Sequence, residues 1–215
     1  MNRRSCFLAT VALFACSVLA VSVLGQAAPK GWRVRIDRST NASDPDAAGP
    51  VKFVTMGSGF HATNPQAAIY FNPANTATGN YTLKGTFTLQ KPSGHTNYYG
   101  LIFGGSDLEG PNQKYMYFMV AQDGTWLVKR RNGDATEDVS QRTANDAVKK
   151  PDASGKSTNA LEVRVGRDKI DYVVNGTTVH STPKSGATAN TDGIYGIRVN
   201  HLLEVHVDGL AATKQ

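Results

Sequence analysis

The stretch 97–133 constrains the fold most, because it holds three apolar, aromatic-rich runs in close succession. Residues 98–103, 114–121 and 125–131 each have the length of a strand, and Asp123-Gly124 separates the last two. Asp-Gly between such runs favours a tight hairpin with positive φ at both turn positions. The sequence therefore predicts three antiparallel strands that are neighbours in one sheet.

The middle run, 114–121, is apolar on both of its predicted faces. One face carries Met116, Phe118 and Val120, and the other carries Tyr115, Tyr117 and Met119. A strand without a polar face is usually covered on both sides. The protein core can cover the first face, so the second, called here the tyrosine face, needs a loop or a ligand over it.

The remainder of the chain also has the pattern of strands and turns. Residues 81–89 alternate strictly, with Tyr81, Leu83, Phe87 and Leu89 on one side, which is typical of a half-buried antiparallel strand. Turn signals such as Asn175-Gly176 separate further short apolar runs as far as residue 207. We predict an all-β fold, a two-sheet antiparallel β-sandwich. The polar segment 135–157 has no clear period and predicts a long loop, with at most a short strand near 138–141.

The N-terminus has the pattern of a secretory signal peptide, with Arg3 and Arg4 before a long apolar run. We place cleavage after Gly25, with Ala28 as the alternative. This predicts a signal peptide over 1–25, a linker over 26–31, one sandwich domain over 32–212, and a secreted or periplasmic protein without a membrane partner after cleavage. A retained membrane anchor and a lipoprotein attached at Cys16 are the alternatives.

Both cysteines, Cys6 and Cys16, lie in the predicted signal peptide. The mature chain would then lack disulfides, zinc–thiolate sites and cysteine nucleophiles. The formal net charge of +6 falls to +4 when Arg3 and Arg4 leave with the signal. That excess is too small to indicate a nucleic-acid partner.

The order of these runs resembles a known fold family. The resemblance rests on the strands at 81–87, 98–105, 115–118 and 159–163, the Val174-Asn175-Gly176 hairpin, and the Gly193-x-x-Gly196-x-Arg198 strand. They are similar to the concanavalin A-like lectin/glucanase jelly roll, and most of all to laminin-G-like and 3-keto-disaccharide hydrolase-like domains of exported bacterial proteins. The resemblance covers about residues 32–210. It implies carbohydrate on the concave face of one sheet, which would give the tyrosine face an occupant.

Five side chains in the central stretch are candidates for binding a glycan. They are Tyr98, Tyr115, Tyr117, Trp126 and Arg130. Aromatic rings stack on the apolar faces of sugars, and a guanidinium can clamp hydroxyl or anionic groups. The alternative is that the rings fill a second core or cover a loop, and that Arg130 ends a solvated strand.

Candidates for a metal ion or for catalysis are fewer. Asp107 and Glu109 lie in a glycine-rich loop that could hold calcium, although an acidic solvated turn gives the same pattern. His201 stands where the resembling hydrolase-like domains carry a histidine near the last strand, with a capping role as the alternative. Glu204, His206 and Asp208 share one strand face, which solvent exposure also explains. Apart from calcium, no cofactor is predicted.

The sequence lacks the Glu-x-Asp-x-x-Glu strand of the glucanases of this fold and shows no other inward-facing carboxylate pair. The leading hypothesis is therefore an exported carbohydrate-binding sandwich without catalysis. The first alternative is a glycoside-active enzyme of the 3-keto-disaccharide hydrolase type, a hydrolase or lyase that would use His201, Asp107 or Glu109. The second is a structural envelope protein without a ligand. The sequence leaves the glycan and the oligomeric state open.

Overall fold

The protein's structure is a computed structural model that describes residues 28–38 and 42–215. The predicted signal peptide, both cysteines and the predicted cleavage site after Gly25 lie outside the described residues. Within the described part of the chain, no helix is both long enough and apolar enough to cross a bilayer.

Strands dominate the described residues. They are β1 (Arg33–Ile36), β2 (Lys52–Met56), β3 (Gly59–Asn64), β4 (Ala68–Ala77), β5 (Tyr81–Lys91), β6 (Tyr98–Ser106), β7 (Lys114–Ala121), β8 (Thr125–Asn132), β9 (Ala135–Ala144), β10 (Ser157–Val165), β11 (Lys169–Val174), β12 (Thr177–Pro183), β13 (Gly193–Val199) and β14 (Leu203–Lys214). One short 3₁₀ turn, Gly186–Thr188, precedes β13.

The strands form two seven-stranded sheets. The front sheet has the order β1-β4-β13-β6-β7-β8-β9, and the back sheet has the order β12-β11-β10-β5-β14-β3-β2. Every strand pair is antiparallel. The predicted all-β, two-sheet antiparallel sandwich is thus confirmed.

The three strands predicted from the central stretch are neighbours in the front sheet, as β6, β7 and β8. The turn between β7 and β8 differs from the prediction. Only Gly124 has a positive φ, of 88°, and its N–H donates to the carbonyl of Ala121 at 3.1 Å. The hairpin loop therefore has three residues, a type I turn followed by a left-handed glycine. The Asn175-Gly176 turn does have positive φ at both positions, 49° and 83°.

Strand β7 is buried on both faces, as predicted. Its first face lies in the core between the two sheets, where the largest fully buried side chains include Tyr70, Tyr99, Phe118 and Tyr172. The tyrosine face is the outer face of the front sheet. It forms a second, smaller cluster with Ile69, Phe71, Tyr98, Ile102, Leu108, Tyr115, Tyr117, Met119, Ala121 and Leu127.

The predicted long loop at 135–157 is only partly a loop. Its first ten residues form β9, which pairs with β8 at the edge of the front sheet. All ten side chains are exposed or only partly buried, so no apolar alternation marks this strand in the sequence. Backbone hydrogen bonds to β8 hold it instead, together with the cross-strand ion pairs Lys129–Asp138 and Arg130–Glu137.

We expect replacement of Tyr70 by Phe to lower the free energy of unfolding by about 1–3 kcal/mol. The Tyr70 hydroxyl is buried and donates to Oδ1 of Asn64 at 2.5 Å, while Nδ2 of Asn64 donates to the Val199 carbonyl at 3.0 Å. Phe leaves the buried Asn64 oxygen without its donor. Urea unfolding measures the loss, and a stability equal to that of the wild type would contradict it.

Candidate functional site

The tyrosine face is covered by an arginine from β13, which lies two strands from β7 in the front sheet. The guanidinium carbon of Arg198 lies 5.3 Å from the ring centroid of Tyr117, and Nη1 donates to the hydroxyl of Tyr115 at 2.8 Å. A guanidinium over a tyrosine ring is a favourable cation–π arrangement. The tyrosines are consequently the floor of the site rather than an open platform: Tyr115 is 2% exposed and Tyr117 is 5% exposed.

Asp37, directly after β1, neutralises two arginines above this floor. It forms ion pairs with Arg198 and, at 3.1 Å, with Arg131 of β8. The three side chains are between 9% and 16% exposed. Burial alone would raise the pKa of Asp37, but the charges of Arg198, Arg131 and Arg35, with the hydrogen bond from Arg198, together hold that pKa below its usual value. Asp37 is therefore the buried anion that serves as counter-ion to both arginines.

Two adjoining depressions open beside this network, and together we call them the front cleft. Their volumes are about 430 and 240 Å³. They share the lining residues Asp44, Asn97, Lys129, Arg198 and Asn200. The larger depression reaches Arg38, Arg131 and His201, and the smaller one has Tyr98 and Tyr117 in its floor.

Two polar atoms in the lining of the front cleft have no hydrogen-bond partner among the described residues. They are Oδ1 of Asn200 and Nε of Arg198. Buried polar atoms are normally paired, so such atoms need an explanation. Both atoms are inaccessible to solvent, so a ligand hydroxyl could reach them only after a movement of the side chains.

A cluster of two histidines and two aspartates lies at the end of the front cleft. His201 occupies the turn between β13 and β14, with Nε2 3.0 Å from Oδ1 of Asp44 and Nδ1 3.1 Å from Oδ1 of Asp46. Nε2 of His95, in the loop between β5 and β6, lies 2.8 Å from the same Asp44 oxygen. His201 is 4% exposed, whereas the side chains of His95 and Asp44 are 44% and 41% exposed. Chemically, this cluster could transfer a proton or hold a metal ion.

Comparison with known proteins gives matches in structure only. No family model matches the sequence, and no curated protein matches it either. A carbohydrate-binding module, CBM66 from Bacillus subtilis, superposes with a TM-score of 0.60 at 11% identity, over 86% of this chain and 96% of that one. A Bacteroides ovatus mixed-linkage glucan GH16 protein, in complex with a G4G4G3G product, gives 0.55 at 9% identity, over 85% and 94%. Alginate lyase A1-II' gives 0.52 at 16% identity, over 86% and 95%.

The fold is the concanavalin A-like jelly roll. At these identities the likeness establishes the fold alone. The finer resemblance to laminin-G-like and 3-keto-disaccharide hydrolase-like domains stays a prediction.

The jelly roll separates the five predicted glycan-binding residues. Tyr98 and Tyr117 line the front cleft, and Tyr98 is held by a 2.9 Å hydrogen bond between its hydroxyl and that of Thr125. Tyr115 lies beneath Arg198 at the same face. These three side chains do come together on one surface.

Trp126 does not share that surface, so its grouping with the tyrosines was wrong. It is 3% exposed and faces the core between the sheets, with its ring centroid 5.1 Å from that of His180 and 6.5 Å from that of Phe118. Residues 126 and 128 point to the side opposite Leu127, so Trp126 belongs to the packing of the sandwich.

Arg130 also lies away from the front cleft. It lines a separate cavity of about 430 Å³ with Lys114 and Lys184, and its Nη1 is 3.6 Å from Oε2 of Glu137. The β8 arginine that reaches the tyrosine face is its neighbour, Arg131. Adjacent side chains along a strand point to opposite faces of the sheet, so Arg131 reaches the tyrosine face and Arg130 does not.

The acidic loop has the geometry of a turn. Asp107 has φ of 49°, and its Oδ2 accepts a hydrogen bond from the Asn112 N–H at 3.1 Å. Oε1 of Glu109 lies 3.5 Å from Nε of Arg33. Within the described residues, no further carboxylate or imidazole joins these two in a metal-binding group. Calcium in this loop remains a prediction.

The row Glu204, His206 and Asp208 lies on the outer face of the back sheet, away from the front cleft. Nε2 of His206 is 3.0 Å from Oδ2 of Asp208, and Glu204 is 4.0 Å from Nε2 of His61 on β3. Burial lowers the pKa of His61. The three side chains are partly exposed, in agreement with the interpretation as a solvated strand face.

Proposed function

We propose that this chain is an exported carbohydrate-binding jelly roll that holds a glycan in the front cleft and has no catalysis of its own. The observation that carries the proposal is the cleft itself, where a tyrosine floor meets several polar groups on the outer face of one sheet. Export rests on the signal-peptide pattern of residues 1–25. Carbohydrate rests on the chemistry of the lining and on the fold.

The lining favours recognition by hydrogen bonds over ring stacking. Tyr98 and Tyr117 are only 8% and 5% exposed, so they offer a sugar little ring area. Lys129 is 32% exposed and stands on the cleft wall. Its ammonium group provides hydrogen-bond donors for sugar hydroxyls, which is how small polar ligands are oriented in a cleft. One similar structure is itself a carbohydrate-binding module, which supports the same ligand class.

A second candidate function is a glycoside-active enzyme, and the histidine cluster is the observation that favours it. His201 lies between two carboxylates at the end of the cleft, as an acid–base group would. This alternative predicts product release from keto-glycosides that is lost when His201 is replaced. Glycan affinity without any turnover in such a screen supports the binding protein. Turnover supports the enzyme.

Replacement of Lys129 by Ala is expected to weaken glycan binding about tenfold, because it removes a charged hydrogen-bond donor from the cleft wall. A glycan array on the wild type identifies the ligand, and calorimetry with that saccharide measures the loss. Lys84→Ala is the matched control, since Lys84 is exposed on β5 in the back sheet.

Equal affinity loss in both lysine variants, or loss only in Lys84→Ala, would place the glycan away from the front cleft. An array without any bound glycan, together with a blank turnover screen, would favour the structural envelope protein.

A further inference from the structure

Three potential metal ligands converge at the end of the front cleft. Nε2 of His95, Nε2 of His201 and Oδ1 of Asp44 are separated by 2.8, 3.0 and 3.1 Å. Ligand atoms around a tetrahedral zinc ion, at bond lengths of about 2.0–2.1 Å, lie about 3.3 Å apart. The three atoms therefore need only small movements to share one ion. No other group of this kind occurs within 28–38 and 42–215.

The orientation of His201 fits a metal ligand. Its Nδ1 faces Oδ1 of Asp46 at 3.1 Å, and the Asp46 side chain is only 13% exposed. A carboxylate can only accept, so Nδ1 carries a proton, and in a metal-bound state the neutral ring would offer its lone pair from Nε2. Metal-binding histidines are usually held by such a carboxylate on the other ring nitrogen. Asp46 thus orients Nε2 of His201 toward Asp44 and His95.

The loop that carries His95 is fixed to the His201 turn. The Asn97 amide donates to the His201 carbonyl at 3.0 Å and lies 3.1 Å from Nε2 of His95. Asn97 is 3% exposed. This buried amide links the two histidines, although they come from loops far apart in the chain.

We propose that Asp44, His95 and His201 bind one divalent transition-metal ion of the zinc class. Two imidazoles and one carboxylate suit zinc and its neighbours, whereas calcium prefers an all-oxygen shell. Three protein ligands leave a coordination position open, as in zinc sites that accept water or a ligand. Asp44 and His201 also line the front cleft, so an ion bound by them would lie beside the proposed glycan site.

The competing arrangement is a doubly protonated His201 held between Asp44 and Asp46, which needs no metal. Metal binding distinguishes the two arrangements, because only the proposed site takes up one ion per protein chain. Isothermal titration of the tag-free protein with ZnCl₂ is expected to show one site. His95→Ala should weaken zinc binding at least about hundredfold, since it removes one of three ligands. His95 is the variant of choice because its side chain is exposed, so its loss should spare the fold.

His206→Ala is the matched control, because His206 also sits beside an aspartate but on the back sheet. It should bind zinc as the wild type does. Titration with Co²⁺ should add a visible absorption of low-coordinate cobalt that His95→Ala lacks. The absence of a single zinc site, or its retention in His95→Ala, would overturn the proposal.

The metal site stands whether or not the cleft holds a glycan, because zinc and cobalt titrations report on it directly. One consequence does rest on the proposed function: glycan affinity should fall when the metal is removed by a chelator. Zinc binding with a blank glycan array would refute the glycan proposal only. Glycan binding without zinc binding would refute the metal site only.

Discussion

Replacing Asp37 by Asn is expected to lower the free energy of unfolding by about 3–5 kcal/mol, the usual result when one partner of a buried ion pair is removed. Asn keeps the shape and the hydrogen-bonding oxygen but loses the charge. Arg198 and Arg131, whose side chains are 12% and 16% exposed, would then lack their counter-ion above the tyrosine floor. Urea unfolding at neutral pH measures the change.

The pH dependence of that difference identifies its cause. The folded-state pKa of Asp37 lies below its usual value, so its stabilising charge is fully present above about pH 4, the pKa of an unfolded aspartate. The stabilisation is lost as the pH falls through the lower folded pKa. The gap between wild type and Asp37→Asn should therefore be constant from about pH 5 to 8 and shrink below about pH 4.

Asp138→Asn is the control for Asp37→Asn. Asp138 pairs with Lys129 at 2.9 Å, but its side chain is 52% exposed. Solvent screens such a pair, so its loss should cost less than about 1 kcal/mol. Equal losses of unfolding free energy in the two aspartate variants would show that the ion pairs over the tyrosine floor stabilise the protein no more than an exposed pair does.

Replacing Trp126 by Ala is expected to cost about 3–5 kcal/mol, the range for a large aromatic removed from a core. Trp126 lies between the sheets against Phe118 and His180, and its side chain does not line the front cleft. Thermal and urea unfolding should both show the loss. The variant that remains folded should bind glycan with wild-type affinity.

Trp126→Phe tests the packing explanation. Phe fills most of the space and removes an indole N–H that is buried without a partner among the described residues. The loss should therefore be about half that of the alanine variant. A loss of glycan affinity in a fully folded Trp126→Phe would contradict the placement of this ring in the core.

The sequence was sufficient to predict the fold because the side chains along most of its strands follow a clear period. The middle run 114–121 coincides with β7, and Asn175-Gly176 closes the predicted hairpin. Strand β9 was missed because neither of its faces is buried, so its side chains have no reason to alternate. The Asp123-Gly124 turn was identified in place but not in type, since Asp123 accepts a 3.1 Å hydrogen bond from the Thr125 N–H in a longer loop.

The site was much less predictable, because its residues meet only in the folded chain. Asp44 and His201 are 157 residues apart, and His95 and His201 are 106 apart. Neither His95 nor Asp44 stands in a recognisable spacing, and both lie in polar loops. Nothing in the sequence around Asp37 indicated its partners, which lie on β8 and β13. Tyr98, Tyr115 and Tyr117 could be placed because alternation along a strand decides the face.

The positions of the last two strands govern when this domain can acquire its shape during synthesis. β13 lies between β4 and β6, and β14 lies between β5 and β3, so both sheets are split until residues 193–214 have left the ribosome. Pairings over such sequence distances form slowly. Neither sheet can therefore be completed before almost the whole domain has been synthesised.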